Sequence, residues 1–171
     1  MMSSSRRNAL ILFLDFDGVL HHENVRISNG SGPFLVAPER YQLFQHAELL
    51  AQLLAPYPQV QIVLSTSWAV HYGVAKAAKR LPPELQARVI GGTFHSRYMR
   101  KDDFQALPRG KQVIADAHRR QPRDWLALDD AEDGWSGPYE RHWVQTHQYE
   151  GVSAPEVLAI FKQKLEAMCR Q

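Results

Sequence analysis

The sequence predicts a single α/β domain built on a parallel sheet, and three observations carry that expectation. Three short apolar runs, Ala9 to Leu14, Val60 to Leu64 and Trp125 to Leu128, lack the alternation of half-exposed strands and read as strands covered on both faces. Patterns of helical period lie between them. Each run then gives way to polar residues at its carboxyl end, which is where open α/β sheets bind their ligands.

Taken in order, residues 1–8 read as a mobile tail and the first apolar run as the first strand, ending at Asp15-Phe16-Asp17-Gly18. His21 to Val36, with Asn29-Gly30-Ser31-Gly32-Pro33 at its centre, reads as a hairpin or irregular flap. Pro38 to Ala55 spaces Tyr41, Phe44, Ala47, Leu50 and Leu54 by threes and fours, which predicts one helix closed by Pro56 and Pro58. The second strand ends at Ser65-Thr66-Ser67-Trp68, and a weaker strand is expected at Arg88 to Ile90. Thr93 to Pro108 carries many charges and few apolar anchors, so it reads as a long exposed loop of the kind that often serves function. Lys111 to Arg120 has Val113, Ile114 and Ala117 on one side of a helix, and the strand after it ends at Asp129-Asp130. A last weak strand at His142 to Gln145 precedes a helix that opens on Ser153-Ala-Pro-Glu156, a capping-box pattern, and aligns Val157, Ile160, Phe161, Leu165 and Met168. Strands separated by helices imply right-handed crossovers, hence a Rossmann-like doubly wound sheet.

Composition narrows the function classes. At 171 residues, 44% hydrophobic and 22% charged, the chain has an ordinary globular balance that excludes wholesale disorder and fibrous repeats. The net charge of +2 argues neither for nor against a polyanionic partner. Its single cysteine, Cys169, allows no intrachain disulfide and suits a reducing cytoplasm. The first apolar run has six residues before Asp15, fewer than the about 7–15 of a signal peptide or the about 20 of a membrane span, so a soluble protein is expected.

The strand ends carry the chemistry. Asp15, Asp17, Thr66, Ser67, Asp129 and Asp130 should meet along one sheet edge, although long stretches of chain separate them. Carboxylates crowded together repel unless a cation sits among them, and an all-oxygen set favours a hard ion, with Mg2+ usual where phosphate is also bound. Asp15 and Asp17 are two apart, so in extended geometry they point to one side, and such a pair can divide nucleophilic attack from proton transfer. Gly18 lets the backbone turn away. Thr66 offers a hydroxyl and a backbone N–H to a phosphoryl oxygen, and Lys111 at a helix start would hold an anion. Val19, where a calcium loop needs a ligand, excludes an EF-hand. His21 and His22 read as part of a solvated flap, and Trp68 and Trp125 as core packing.

These residues resemble the four ordered motifs of the haloacid dehalogenase-like (HAD) superfamily: Asp15-Phe-Asp-Gly-Val-Leu20, the strand ending at Thr66, a basic residue opening a helix, and Leu128-Asp129-Asp130. Within it they are similar to small HAD domains grouped with nucleic-acid repair proteins. There Thr-x-Trp follows the second strand, as Thr66-Ser67-Trp68 does here, and a turn like Gly151-Val152-Ser153 precedes the last helix. The resemblance covers residues 9 to about 165 and implies a sheet ordered 5-4-1-2-3 with a minimal cap.

The resemblance also implies a Mg2+-dependent phosphatase in which Asp15 is the nucleophile that becomes an aspartyl-phosphate. Asp17 is then the general acid and base and offers its backbone carbonyl to Mg2+, Thr66 binds the phosphoryl group, Lys111 neutralises it, and Asp129, Asp130 or both complete the metal shell. Arg109 competes with Lys111 for the third role, Ser65 or Ser67 with Thr66, and Asp133 with the acidic pair. A module that binds phosphate or metal without turnover, and a phosphotransferase, are the alternative activities. With no cap to enclose a small metabolite, specificity falls to the flap and the 93–108 loop. There Arg97, Arg100, Lys101 and the following Arg109 would grip flanking phosphates of a nucleic-acid or nucleotide end, while Phe94 and Tyr98 stack on a base.

Overall fold

Leu10–Leu14 (β1) is buried along its whole length because both faces of the strand are covered. Leu10, Leu12 and Leu14 point into the larger apolar cluster, which also holds Leu50, Leu54, Phe161 and Leu165. Ile11 and Phe13 point the other way, into a smaller cluster with Val113, Ala117, Trp125 and Trp135. A strand that feeds two cores needs an unbroken apolar run.

The computed structural model describes residues 8–170. The mobile tail expected over residues 1–8 lies outside the described residues except for Asn8, an exposed turn residue. After β1 come the antiparallel pair Val25–Ser28 (β2) and Gly32–Leu35 (β3), then helix Ala47–Leu54 (α1) and strand Val60–Leu64 (β4). Three short helices follow, Ser67–Tyr72 (α2), Val74–Ala78 (α3) and Pro83–Gln86 (α4), leading into Val89–Gly92 (β5). Next are Lys101–Gln105 (α5), Arg109–Arg120 (α6), Asp124–Asp129 (β6), a 3-10 turn over Gly137–His142, Trp143–Gln145 (β7) and Pro155–Arg170 (α7). The main sheet is wholly parallel, in the order β5-β4-β1-β6-β7. With the flap pair left out of the count, that order reads 5-4-1-2-3 from the β7 edge.

Register positions the site. Leu14 is level with Leu64 on one side and with Leu128 on the other. The next residues, Asp15, Ser65 and Asp129, therefore stand side by side at the carboxyl ends of three adjacent strands.

Four expectations need correction. The helix expected over residues 38–55 begins only at Ala47, because Phe44 takes φ +60° and turns its N–H onto the His21 ring. The exposed loop expected over 93–108 contains α5. Its first half is tied down where His95 bonds, at 2.9 Å, to the fully buried Asp116 of α6, which also pairs with Arg119 and Arg120. The capping box does not form, since the Ser153 hydroxyl donates to Glu150 O at 2.6 Å and Pro155 starts α7. Ile160, expected on the inner face of that helix, is exposed, whereas Val157, Phe161, Leu165 and Met168 are buried.

Candidate active site

Asp15 follows β1 and is 4% exposed; its Oδ1 accepts the Phe16 N–H at 2.8 Å. Asp129 ends β6 with no exposed surface, and its Oδ1 accepts the Ala131 N–H at 3.0 Å. Asp130 comes alongside, and one oxygen from each of these three carboxylates lies within 4.8 Å of the other two. Gly18 makes the approach of Asp130 possible. Its φ is +75°, and a Cβ there would sit 2.3 Å from the Asp130 Cγ. Its carbonyl is held by the Thr146 hydroxyl at 2.6 Å.

The basic group brought to this cluster is Arg109, with Nη1 3.6 Å from Asp15 Oδ1 and Nε 3.7 Å from Asp129 Oδ2. Its guanidinium also donates to the Ser65 carbonyl at the end of β4. The start of α6 is locked in place from below: the Gly110 N–H donates to Asp133 O at 3.0 Å, and a Cβ on Gly110 would lie 2.3 Å from the Gly134 carbonyl carbon. Lys111, the cation expected there, is exposed on α6 and has no ion pair among the described residues. Asp133 is also exposed and outside the trio.

The charges in the cluster perturb one another. Burial raises the Asp15 carboxyl above the ordinary carboxylate range, and Arg109 opposes that shift. Burial, with Asp15 adding to it, raises Asp129 well above the range, and the same two causes push Asp130 up to about 7. Burial weakens the charged form of Arg109, but Asp15 and Asp129 outweigh it and hold the guanidinium above its ordinary value. Asp129 Oδ2 is buried without a hydrogen-bond partner. An orphaned oxygen on one of three clustered carboxylates gives a donor set that a hard divalent cation would complete, so these residues fit Mg2+.

Asp17 stands apart from that trio. Its Oδ1 accepts from Trp68 Nε1 and from His21 Nε2, each at 2.8 Å. It borders a groove of about 260 Å3 shared with Ser67, Trp68, Tyr72, Gln105 and the flap residues Val25 and Ile27. Thr66 is buried and caps α2, its hydroxyl accepting the Trp68 N–H at 3.2 Å, while Ser67 is exposed. Arg100 is not brought to the carboxylates. It is exposed, lies 3.7 Å from Asp103 and lines a separate groove with Tyr98 and Leu107. Arg97 and Lys101 are exposed, Phe94 packs on Phe104, and Tyr98 stacks on His95.

The family model for the HAD domain in Swiss Army Knife RNA repair proteins matches residues 11–157. The chain belongs to this family. No curated protein and no solved structure matches the chain. The matched stretch contains the trio at the carboxyl ends of β1 and β6, Thr66 after β4, and Arg109 at the start of α6. Two groups in this HAD domain escaped the sequence reading. His21 and His22 are buried rather than solvated, and Trp68, expected as packing alone, also donates to Asp17. The only signal for His21 was its place four residues after Asp17 in a tight turn.

Proposed function

We propose that this HAD domain is a Mg2+-dependent phosphatase that works through an aspartyl-phosphate on Asp15. The observation that carries the reading is the trio of carboxylates, Asp15 and Asp129 buried and Asp130 half-buried, with an unpartnered Asp129 oxygen, set against Arg109. Asp15, Asp129 and Asp130 would hold the ion, with the Asp17 backbone carbonyl; bound there, it would neutralise phosphoryl charge and keep the carboxylates ionised.

This chain's own groups account for the rest. Arg109 binds the phosphoryl oxygens and draws the Asp15 carboxyl toward its charged form. An Asp15 oxygen attacks phosphorus, the bond from phosphorus to the ester oxygen breaks, and Asp17 gives that oxygen its proton. Asp17, now ionised, takes a proton from a water that attacks the same phosphorus; the bond to Asp15 breaks and inorganic phosphate leaves. Thr66 and the exposed Ser67 beside it orient the phosphoryl group. Arg109 would serve as the third-motif cation, the role expected of Lys111 with Arg109 as its competitor.

A phosphorylated nucleic-acid or nucleotide end is the substrate we favour, because the matching family is described by RNA repair. Arg97, Arg100 and Lys101 are exposed outside the catalytic cluster, where a strand could reach them. We assign the activity to residues 9–168 and to the cytoplasm, where Cys169 would stay reduced.

The test is a panel of phosphate esters assayed with and without Mg2+. A 3′-phosphorylated oligonucleotide should outcompete a sugar phosphate, and Arg100→Ala should erase that advantage. A preference for the sugar phosphate would end the nucleic-acid reading, and the absence of Mg2+-dependent turnover on every ester would end the phosphatase reading.

A further inference from the structure

Asp17 is held by two donors that both fall on one of its oxygens, Oδ1. A carboxylate held that way exchanges its proton through the other oxygen, Oδ2. One of the donors is His21, which has no exposed surface and which the site described above does not use. Its ring is packed edge-on against Phe44 at 4.8 Å and lies 5.8 Å from the Trp68 ring, so it has no room to turn.

The other ring nitrogen settles what His21 presents to Asp17. The Phe44 N–H donates to His21 Nδ1 at 3.1 Å, so Nδ1 must carry a lone pair. The proton of the neutral ring is then on Nε2, the nitrogen 2.8 Å from Asp17 Oδ1. Phe44 makes this contact from φ +60°, which residues other than glycine seldom adopt. Backbone strain of this sort persists where the surroundings overdetermine it and clusters at functional sites. Asp17 itself borders the groove between the flap and α2.

We propose that His21, fixed as its Nε2–H tautomer by the Phe44 backbone, is a positioning residue that turns the free oxygen of Asp17 toward a leaving group on the side of this groove. The proposal rests on the phosphatase reading and deepens it. Trp68 Nε1–H is the second arm of the clamp, and its ring packs against both His21 and Phe44. A clamp of this kind affects the proton-transfer step more than phosphoryl binding, because Arg109 and the carboxylate trio do not touch it.

Two substitutions separate positioning from packing. In His21→Asn the amide oxygen lies near the position of Nδ1, so the acceptor for the Phe44 N–H is kept and the donor to Asp17 is lost. In His21→Gln the amide nitrogen lies near the position of Nε2, so the donor to Asp17 is kept and the acceptor is lost. Tm and kcat/KM are measured for both variants on an alkyl phosphate, whose leaving oxygen needs a proton, and on p-nitrophenyl phosphate, whose leaving group departs readily without one. The expected result is a loss of about 10- to 100-fold for His21→Asn on the alkyl ester with Tm close to that of the wild type. The loss on the alkyl ester should exceed the loss on the aryl ester by at least about tenfold, and His21→Gln should recover most of it although its Tm is lower.

Imidazole nitrogen NMR on the metal-free protein near about pH 8 should show the proton on Nε2, with that resonance moving in Asp17→Asn. Equal losses on the two esters, activity that follows Tm in both variants, or a proton on Nδ1 would overturn the proposal and leave the phosphatase reading standing. A wild-type protein that cleaves neither ester with Mg2+ would overturn both.

Discussion

Which of Arg109 and Lys111 reaches the carboxylates turns on two residues' worth of helix. Both open α6, but the close approach of Gly110 to the Gly134 backbone turns Arg109 onto the carboxylates and leaves Lys111 in solvent. Sequence could not separate them, because both are basic and both lie in the first turn of one helix. Removing Arg109 leaves buried carboxylates facing one another without their counter-charge. Arg109→Ala should therefore lower kcat/KM by about 100-fold or more, whereas Lys111→Ala should stay within about threefold of wild type, as read by steady-state kinetics on one ester. The reverse ranking would return the third-motif role to Lys111. The acidic residues themselves were legible, because Asp15, Asp17, Asp129 and Asp130 follow apolar runs whose direction the crossover rule fixes. His21 was not, since nothing in the neighbouring residues says that Phe44 and Trp68 will close over it.

Among the elements, the strands were the easiest to read and the segments between them the hardest. An unbroken apolar run states that both faces are covered, which is a property of the strand itself. Apolar spacing over 38–55 states only which side chains go inside, and residues 38–46 achieve that burial as turns rather than as helix. The short β7 edge carries a pH dependence. His142, at the end of the 3-10 turn, stacks on Trp125 at 4.1 Å, donates from Nδ1 to the Trp125 carbonyl at 2.7 Å and accepts from Arg141 Nε at 3.1 Å. Burial holds its pKa below the ordinary histidine value, and the same cause lowers His46. A histidine whose pKa is depressed on folding contributes stability that is present above its unfolded value of about 6.5 and is lost as pH falls through its folded value. In His142→Gln, which can both donate and accept, Tm should therefore fall less steeply than in the wild type as pH drops from about 7 to 5. Parallel slopes in thermal denaturation would show that His142 does not contribute.

For the molecule as a whole, the ion should matter to the site far more than to the fold. The two apolar clusters on either face of the sheet are built without it. Chelation should then stop turnover while far-ultraviolet circular dichroism stays unchanged. The raised carboxyls set the pH dependence. A carboxyl whose pKa is raised on folding contributes stability that is complete below its ordinary value and is lost as pH rises through the folded value, about 7 for Asp130. The ion-free protein should lose that contribution across neutrality, and Mg2+, which binds the ionised form, should restore it. The increase in Tm on adding Mg2+ should accordingly be larger at about pH 8 than at about pH 6, and a shift independent of pH would contradict this view of the cluster.

The covalent intermediate is the central claim, and it can be observed directly. The protein is mixed with Mg2+ and an ester carrying a radiolabelled phosphoryl group, quenched in acid during turnover, digested and mapped by mass spectrometry. The expected result is label on the peptide containing Asp15, lost in Asp15→Asn together with all turnover, while that variant keeps its fold. Label on a different residue, or turnover that survives Asp15→Asn, would contradict the mechanism.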